Sequence, residues 1–170
     1  AEFEEASKIY DLVIREHSES TMGNLARLRK AYALQQLGTV ADLEQAESLL
    51  EHCLQAEQAS SDHDEALYLL AWILVDLDRE EEGQAAFQEI ADEHPDSKYW
   101  SDSAYRVARS YFKNGEKDSA QNLVSKLIKI DEIQDELLSK VMSLYAELTL
   151  SEGNWTSFTD SIRLVQSRLE

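Results

Sequence analysis

Apolar residues recur along this chain with the period of an α-helix, in paired stretches separated by one or two turn-forming residues. Between His94 and Ile128, Ala104, Val107, Ala108 and Tyr111 share one helical face, and Ala120, Val124 and Leu127 share another. Asn114-Gly115 stands between them, and Gly115, which has no Cβ to clash, suits the left-handed turn that ends a helix. The pair reads as an antiparallel helical hairpin. The same pattern predicts nine helices and no strand, at 2–17, 22–37, 42–57, 63–77, 80–93, 99–113, 116–130, 134–151 and 154–168. Ser60, Ser61 and Asp62 offer N-caps for the fourth helix, with Asp62 and Glu65 spaced as a capping box, and Pro95 closes the fifth.

One slot repeats. Ala6, Ala46, Gly83, Ala120 and Phe158 follow one another at steps of 40, 37, 37 and 38 residues. Apolar residues follow four and seven positions later: Tyr10 and Val13, Leu50 and Cys53, Phe87 and Ile90, Val124 and Leu127, Ile162 and Val165. A small side chain in that slot lets two helices approach closely while the larger ones fill the space beside it. Phe158 keeps the spacing but not the small size. Helix 2–17 reads as the second helix of a repeat whose first helix precedes the chain. The hairpins proper are then 22–57, 63–93, 99–130 and 134–168 in a single array over 1–170, which is expected to be a piece of a longer protein. An end hairpin without a polar cap is sticky, so helix 2–17 is also expected to self-associate.

The repeat resembles the tetratricopeptide family. Small Ala71, Ala108 and Ala146 stand mid-way along first helices, with Leu74 and Tyr111 three residues after the first two. Gly38, Gly115 and Gly153 stand at the inter-helix turns, and Pro95 precedes the next hairpin. The resemblance covers about four and a half repeats, each somewhat longer than the family's period of about 34 residues. It is weakest at 22–38, where Arg27 and Lys30 occupy slots that should be apolar. HEAT repeats, with a period of about 40–47, are the alternative fold, and the small-residue slots and turn glycines argue against them. The segment His94 to Tyr99, with Tyr105, is similar to the bacterial cell-envelope branch of the family, the outer-membrane-assembly and Tol–Pal-associated proteins. This implies a bacterial periplasmic setting, with the cytoplasm as the alternative.

The resemblance implies an all-α solenoid of helical hairpins wound into a right-handed superhelix, acting as a protein–protein interaction scaffold. First helices would line a concave groove that takes a peptide or partner protein. The inward positions would be Leu28, Tyr32 and Gln36; Tyr68, Trp72 and Asp76; Tyr105, Arg109, Phe112 and Lys113; and Lys140, Ser143 and Glu147. Aromatic residues suit such a surface because they give contact area at low entropy cost. Packing of Tyr68, Trp72 and Tyr105 against neighbouring helices is the competing reading. A structural or oligomerising segment without a free groove is the alternative function.

Charge sharpens the expected partner. The chain carries a net charge of −18, which argues against nucleic acid, whose binding rests on phosphate neutralisation, and against an anionic membrane surface. No apolar run approaches the roughly 18 residues needed to span a bilayer. Residues 1–97 hold 6 basic and 23 acidic side chains, whereas 98–140 hold 8 and 7. Within that balanced stretch Arg106, Arg109 and Lys113 lie at helical spacings of three and four. Asp102 is placed to pair with Arg106. The cluster points to an anion-accepting groove for acidic side chains or a terminal carboxylate, with arginine offering a two-pronged fork. Neutralisation by Asp76 or Glu65 of the preceding hairpin is the competing reading.

Other candidate chemistry is weak. Asp62-His63-Asp64-Glu65 has metal-ligand residue types, but consecutive residues at a helix start point in different directions and acids there suit the dipole. Cys53 occupies the slot of Val13, Ile90 and Leu127 and reads as a buried small hydrophobe rather than a nucleophile. As a lone cysteine it also excludes an intrachain disulfide. Asn154-Trp155-Thr156 is a glycosylation triplet of the kind that arises by chance. With no HExxH, no phosphate-cradling glycine loop and no GxSxG, the chain is expected to be no enzyme and to need no metal and no cofactor.

Overall fold

A computed structural model of the chain describes residues 2–55, 61–130, 133–151, 153, 159–160 and 162–163, and eight helices are delimited among them. They are α1 (Glu2–Glu16), α2 (Thr21–Leu37), α3 (Val40–Gln55), α4 (Ser61–Asp76), α5 (Glu80–Glu93), α6 (Trp100–Lys113), α7 (Lys117–Leu127) and α8 (Asp135–Ser151). No strand occurs among the described residues. Of the expected helix 154–168, residues 159–160 and 162–163 are described and helical, and the rest lie outside the described residues, as do Phe158 and Val165. The chain packs as two compact units, residues 1–99 and 100–170.

The turns follow from backbone sterics. Gly38 ends α2 at φ 73°, with its N–H on the Leu34 carbonyl at 3.1 Å, and Gly115 and Gly153 are left-handed too, at φ 82° and 69°. The α4–α5 turn has no glycine, and Asp78 takes the left-handed conformation instead, at φ 59°. Aspartate tolerates that region because its short polar side chain bonds locally. Ser20 caps α2 by accepting from the Gly23 N–H at 3.2 Å. α5 stops at Glu93, because Pro95 disfavours the helical conformation at His94, which sits at φ −121° and ψ 58°.

In the first unit, α2, α3 and α4 enclose a core of Leu28, Ala31, Leu34, Leu43, Ala46, Leu50, Ala66, Leu69 and Ile73. Phe87 and Ile90 bury the face that α5 turns to α4. The small slot works as its spacing implies. Ala46 and Ala120 are wholly buried, and a Cβ on Gly83 would lie 2.7 Å from the Ala71 carbonyl oxygen. α5 therefore approaches α4 more closely than any side chain allows. In the second unit α6 packs on α7, and both meet α8, around Ala104, Val107, Ala108, Ala120, Val124, Leu127 and Leu144.

The departure at 22–38 is real but locally satisfied. Arg27 and Lys30 are buried on α2, as their slots require. Arg27 donates to the Ser18 carbonyl at 2.7 Å and to Asn24 Oδ1 at 2.9 Å, and Lys30 Nζ donates to Asp11 of α1 at 2.6 Å. Buried charge without such partners would be costly. α1 buries Ser7 and half-buries Ala6, Tyr10, Val13 and Ile14, and α1 and α2 pack together. Ile9 and Leu12 stay 60% and 49% exposed.

Several local expectations are corrected: α3 starts at Val40, two residues before the expected 42, and α7 ends at Leu127 rather than at 130. The capping box does not form: α4 starts at Ser61, so Asp62 lies within the first turn, and the Glu65 carboxylate binds Arg29 instead. Helix 99–113 starts one residue later, at Trp100, and Tyr99 stacks on Tyr68 within the first unit, with centroids 4.4 Å apart.

Candidate functional site

The expected groove residues divide between the two units. In the second unit, the i, i+4 stacking of α6 sets Asp102, Arg106, Arg109 and Lys113 along one side. Arg106 Nε donates to Asp102 Oδ2 at 2.7 Å, as the spacing predicts. Arg109 is exposed, and its guanidinium donates to a neutral hydroxyl, Tyr105 Oη, at 3.3 Å. No carboxylate among the described residues pairs with it. Lys113 is exposed and Phe112 half-buried. Tyr105 is 8% exposed, so it supports this surface from below rather than lining it. Lys140, exposed on α8, donates to Glu136 Oε1 at 2.7 Å, and that bond raises its pKa, with Asp102 and Tyr105 adding through space. On the same helix Ser143 and Glu147 are exposed.

In the first unit the aromatic residues gather into a cluster. Tyr68 lies face to face with Tyr99 and edge-on to Trp72 and Phe87, at centroid distances of 6.4 and 5.8 Å. Trp72 also meets Phe87 edge-on at 5.8 Å. Such offset and T-shaped contacts are favourable arrangements for aromatic quadrupoles. Tyr68 and Trp72 are half-buried by these partners, so packing accounts for much of their surface. Tyr32 is 50% exposed and Gln36 exposed on α2. Leu28, expected on the same inward stripe, is 1% exposed and belongs to the core; this corrects its placement. Leu28 packs in the core that α2 shares with α3 and α4, whereas Tyr32, one turn on, keeps half of its surface exposed.

Glu65 and Asp76 have partners of their own within the first unit. Glu65 binds Arg29, and Lys98 Nζ lies 3.6 Å from its other oxygen. Burial opposes ionisation of Glu65, but the Arg29 bond and charge and the nearby Lys98 outweigh it, and the carboxyl titrates below its usual range. Asp76 accepts from Gln35 Nε2 at 3.2 Å. Lys98 also stands 4.8 Å from the Tyr99 ring centroid, a cation–π contact.

Two features escaped the sequence. A shallow groove of about 500 Å³ runs over α4 between α3 and α5. It is lined by Leu54, Leu67, Leu70 and Leu74 together with Glu47, Glu51, Glu82 and Glu89. Arg79 ties its sides by donating to Glu47 and Glu82 at 2.6 Å each. At the open end of the α4–α5 hairpin, His63, Glu89 and His94 converge. The local string Asp62 to Glu65 contributes one ligand atom to that group, His63, as expected of neighbours that diverge around a helix. Its two companions come from α5 and its cap. Hairpin symmetry was the available signal: residues 63 and 94 are equidistant from the turn at 78–79. Cys53 is half-buried with its thiol donating to the Asn24 carbonyl at 3.4 Å.

Residues 40–106 match the tetratricopeptide repeat family model. The fold extends further. The nearly identical TPR-like repeats of a Podosopora anserina protein, described in its structure as kinesin light chain repeats, align with a TM-score of 0.65 at 18% identity, covering 98% of this chain and 87% of that one. A substituted form of the same repeats aligns with a TM-score of 0.64 at 18% identity, covering 98% and 86%. Among curated proteins no relative matches the chain. The fold is therefore all-α and TPR-like.

Proposed function

We propose that this chain is a non-catalytic protein-interaction scaffold that accepts an acidic peptide or a terminal carboxylate on the exposed side of α6. The observation that carries the reading is Arg109, an exposed guanidinium whose hydrogen-bond partner is a neutral hydroxyl, in a chain of net charge −18. Its fork matches a carboxylate in geometry and charge. Arg106, Lys113 and Lys140 add positive potential, and Phe112 gives an apolar contact beside them. On the first unit Tyr32 and Gln36 are exposed and Tyr68 and Trp72 half-buried, so each keeps some surface for a partner. The match of residues 40–106 to a repeat family, and a fold of stacked hairpins, support a binding role. No described helix is long and apolar enough to cross a membrane.

The test is fluorescence anisotropy with labelled peptides about ten residues long, some rich in Asp and Glu or ending in a free carboxylate. Matched peptides carry Asn and Gln or a C-terminal amide. Acidic peptides are expected to bind more tightly, to weaken with salt, and to lose at least about fivefold in affinity with Arg109→Ala, since one charged hydrogen bond contributes about 1.5–3 kcal/mol. Equal affinity for the two peptide sets, or for wild type and variant, refutes the reading.

A second reading has its own observation. On a helical wheel Ile9 and Leu12 lie on the side of α1 away from α2, and both are exposed. Self-association through that side would bury them. Sedimentation of wild type against Ile9→Glu/Leu12→Glu separates the two readings, because the variant leaves α6 intact.

A further inference from the structure

The start of α4 and the end of α5 meet at the open end of their hairpin. His63 is the third residue of α4, Glu89 lies one turn before the end of α5, and His94 caps it. One ligand atom from each lies within 4.8 Å of the other two. The imidazoles face one another with centroids 5.5 Å apart and a tilt of 31°. Asp64, beside His63, lies with Oδ1 2.9 Å from His94 Nδ1. When the Nδ1–H donates to that carboxylate, the Nε2 lone pair of His94 is left available and its basicity rises, which is how outer-shell carboxylates orient metal-bound histidines. Both imidazoles and Asp64 are half-buried, which limits their rotamers, whereas Glu89 is exposed and free to swing.

We propose that His63, Glu89 and His94 form a binding site for a divalent transition-metal ion of the zinc class, with Asp64 positioning His94. Two imidazole nitrogens and one carboxylate oxygen are a donor set for zinc and its first-row neighbours, not for calcium or magnesium, which take oxygen throughout. Ligand atoms about 2.0–2.1 Å from a tetrahedral ion stand about 3.3 Å apart. The three atoms therefore close by no more than about 1.5 Å on binding, a movement within reach of the Glu89 side chain and imidazole rotation. Three protein ligands leave a fourth position for water or for a side chain of a bound partner. The ion would join the first turn of α4 to the end of α5, closing the hairpin end opposite Asp78. The site lies within the first unit and stands independently of Arg109.

The test uses the whole tag-free chain, stripped with EDTA and titrated with Zn²⁺ by calorimetry and with Co²⁺ by absorption. One ion per chain is expected, with micromolar or tighter affinity, a rise in melting temperature, and intense visible Co²⁺ bands of a four-coordinate site. His63→Gln and His94→Gln should each weaken binding at least about tenfold and abolish the melting shift, and Asp64→Asn should weaken it about tenfold. His52→Gln, remote in sequence on α3, should change nothing. In the wild type, NMR should show Zn²⁺ shifting the His63 and His94 ring resonances while His17 and His52 stay in place, which keeps the test decisive if a variant fails to fold. No saturable binding, retention of affinity in His94→Gln, or ring shifts at His17 and His52 in place of His63 and His94 would overturn the proposal.

Discussion

Replacing Gly83 by alanine sets two effects of known sign against each other. Gly83 lies inside α5, where alanine is favoured over glycine by about 1 kcal/mol from helix propensity alone. The new Cβ would stand 2.7 Å from the Ala71 carbonyl oxygen and 2.9 Å from Val75 Cγ2. Optimal carbon contacts are about 3.5–4.0 Å, so relief needs a movement of most of an ångström. Val75 is β-branched and nearly confined to one rotamer in a helix, and the Ala71 oxygen is main chain, so neither yields freely. Overpacking of this kind costs about 1–3 kcal/mol. The net expectation is a loss of about 1 kcal/mol, or about 2–4 °C in melting temperature for a chain of this size. Urea unfolding followed by circular dichroism at constant m-value measures it. In a Val75→Ala background the penalty should shrink but persist, because the backbone contact remains. A Gly83→Ala chain as stable as wild type, or more stable, would refute the close-approach account of the repeat slot.

Two further outcomes follow from the charges and the thiol. Glu65 is held below its usual pKa in the folded chain, so its contribution to stability is fully present above the unfolded value near 4.3 and lost as pH falls through the lower folded value. Denaturant melts from pH 6 down to pH 2.5 should therefore show a steeper acid loss for wild type than for Glu65→Gln, and parallel curves would remove Glu65 from the account. Burial pushes the Cys53 thiol up, only partly offset by Arg27, so at pH 7.5 it should react at least about tenfold more slowly with a thiol reagent than an unstructured cysteine does. Full reactivity before unfolding would contradict the burial of its slot.

Most helix boundaries were legible in the periodicity because they are local. A hydrophobic stripe, a glycine able to turn left-handed and a proline that forbids helix act over a few residues. Hence the helices at 2–16, 21–37 and 80–93 fall within a residue of their expected positions. The small slot at Ala46, Gly83 and Ala120 was legible for the same reason, since its spacing repeats. Asp78 shows where local reading thins out, because its left-handed turn follows from the hairpin, not from a glycine. Side-chain partners depend on register between helices and on rotamers, which the linear pattern does not carry. Thus Glu65 faces Arg29 rather than a helix cap, and Leu28 is core where Tyr32 one turn away is half exposed. Hairpin symmetry about residues 78–79 places His63 opposite His94. That His94 bonds Asp64 with Glu89 at hand was decided by the packing of α5 on α4, because contacts of a few ångströms require three-dimensional closure, whereas helical periodicity requires only the chain itself.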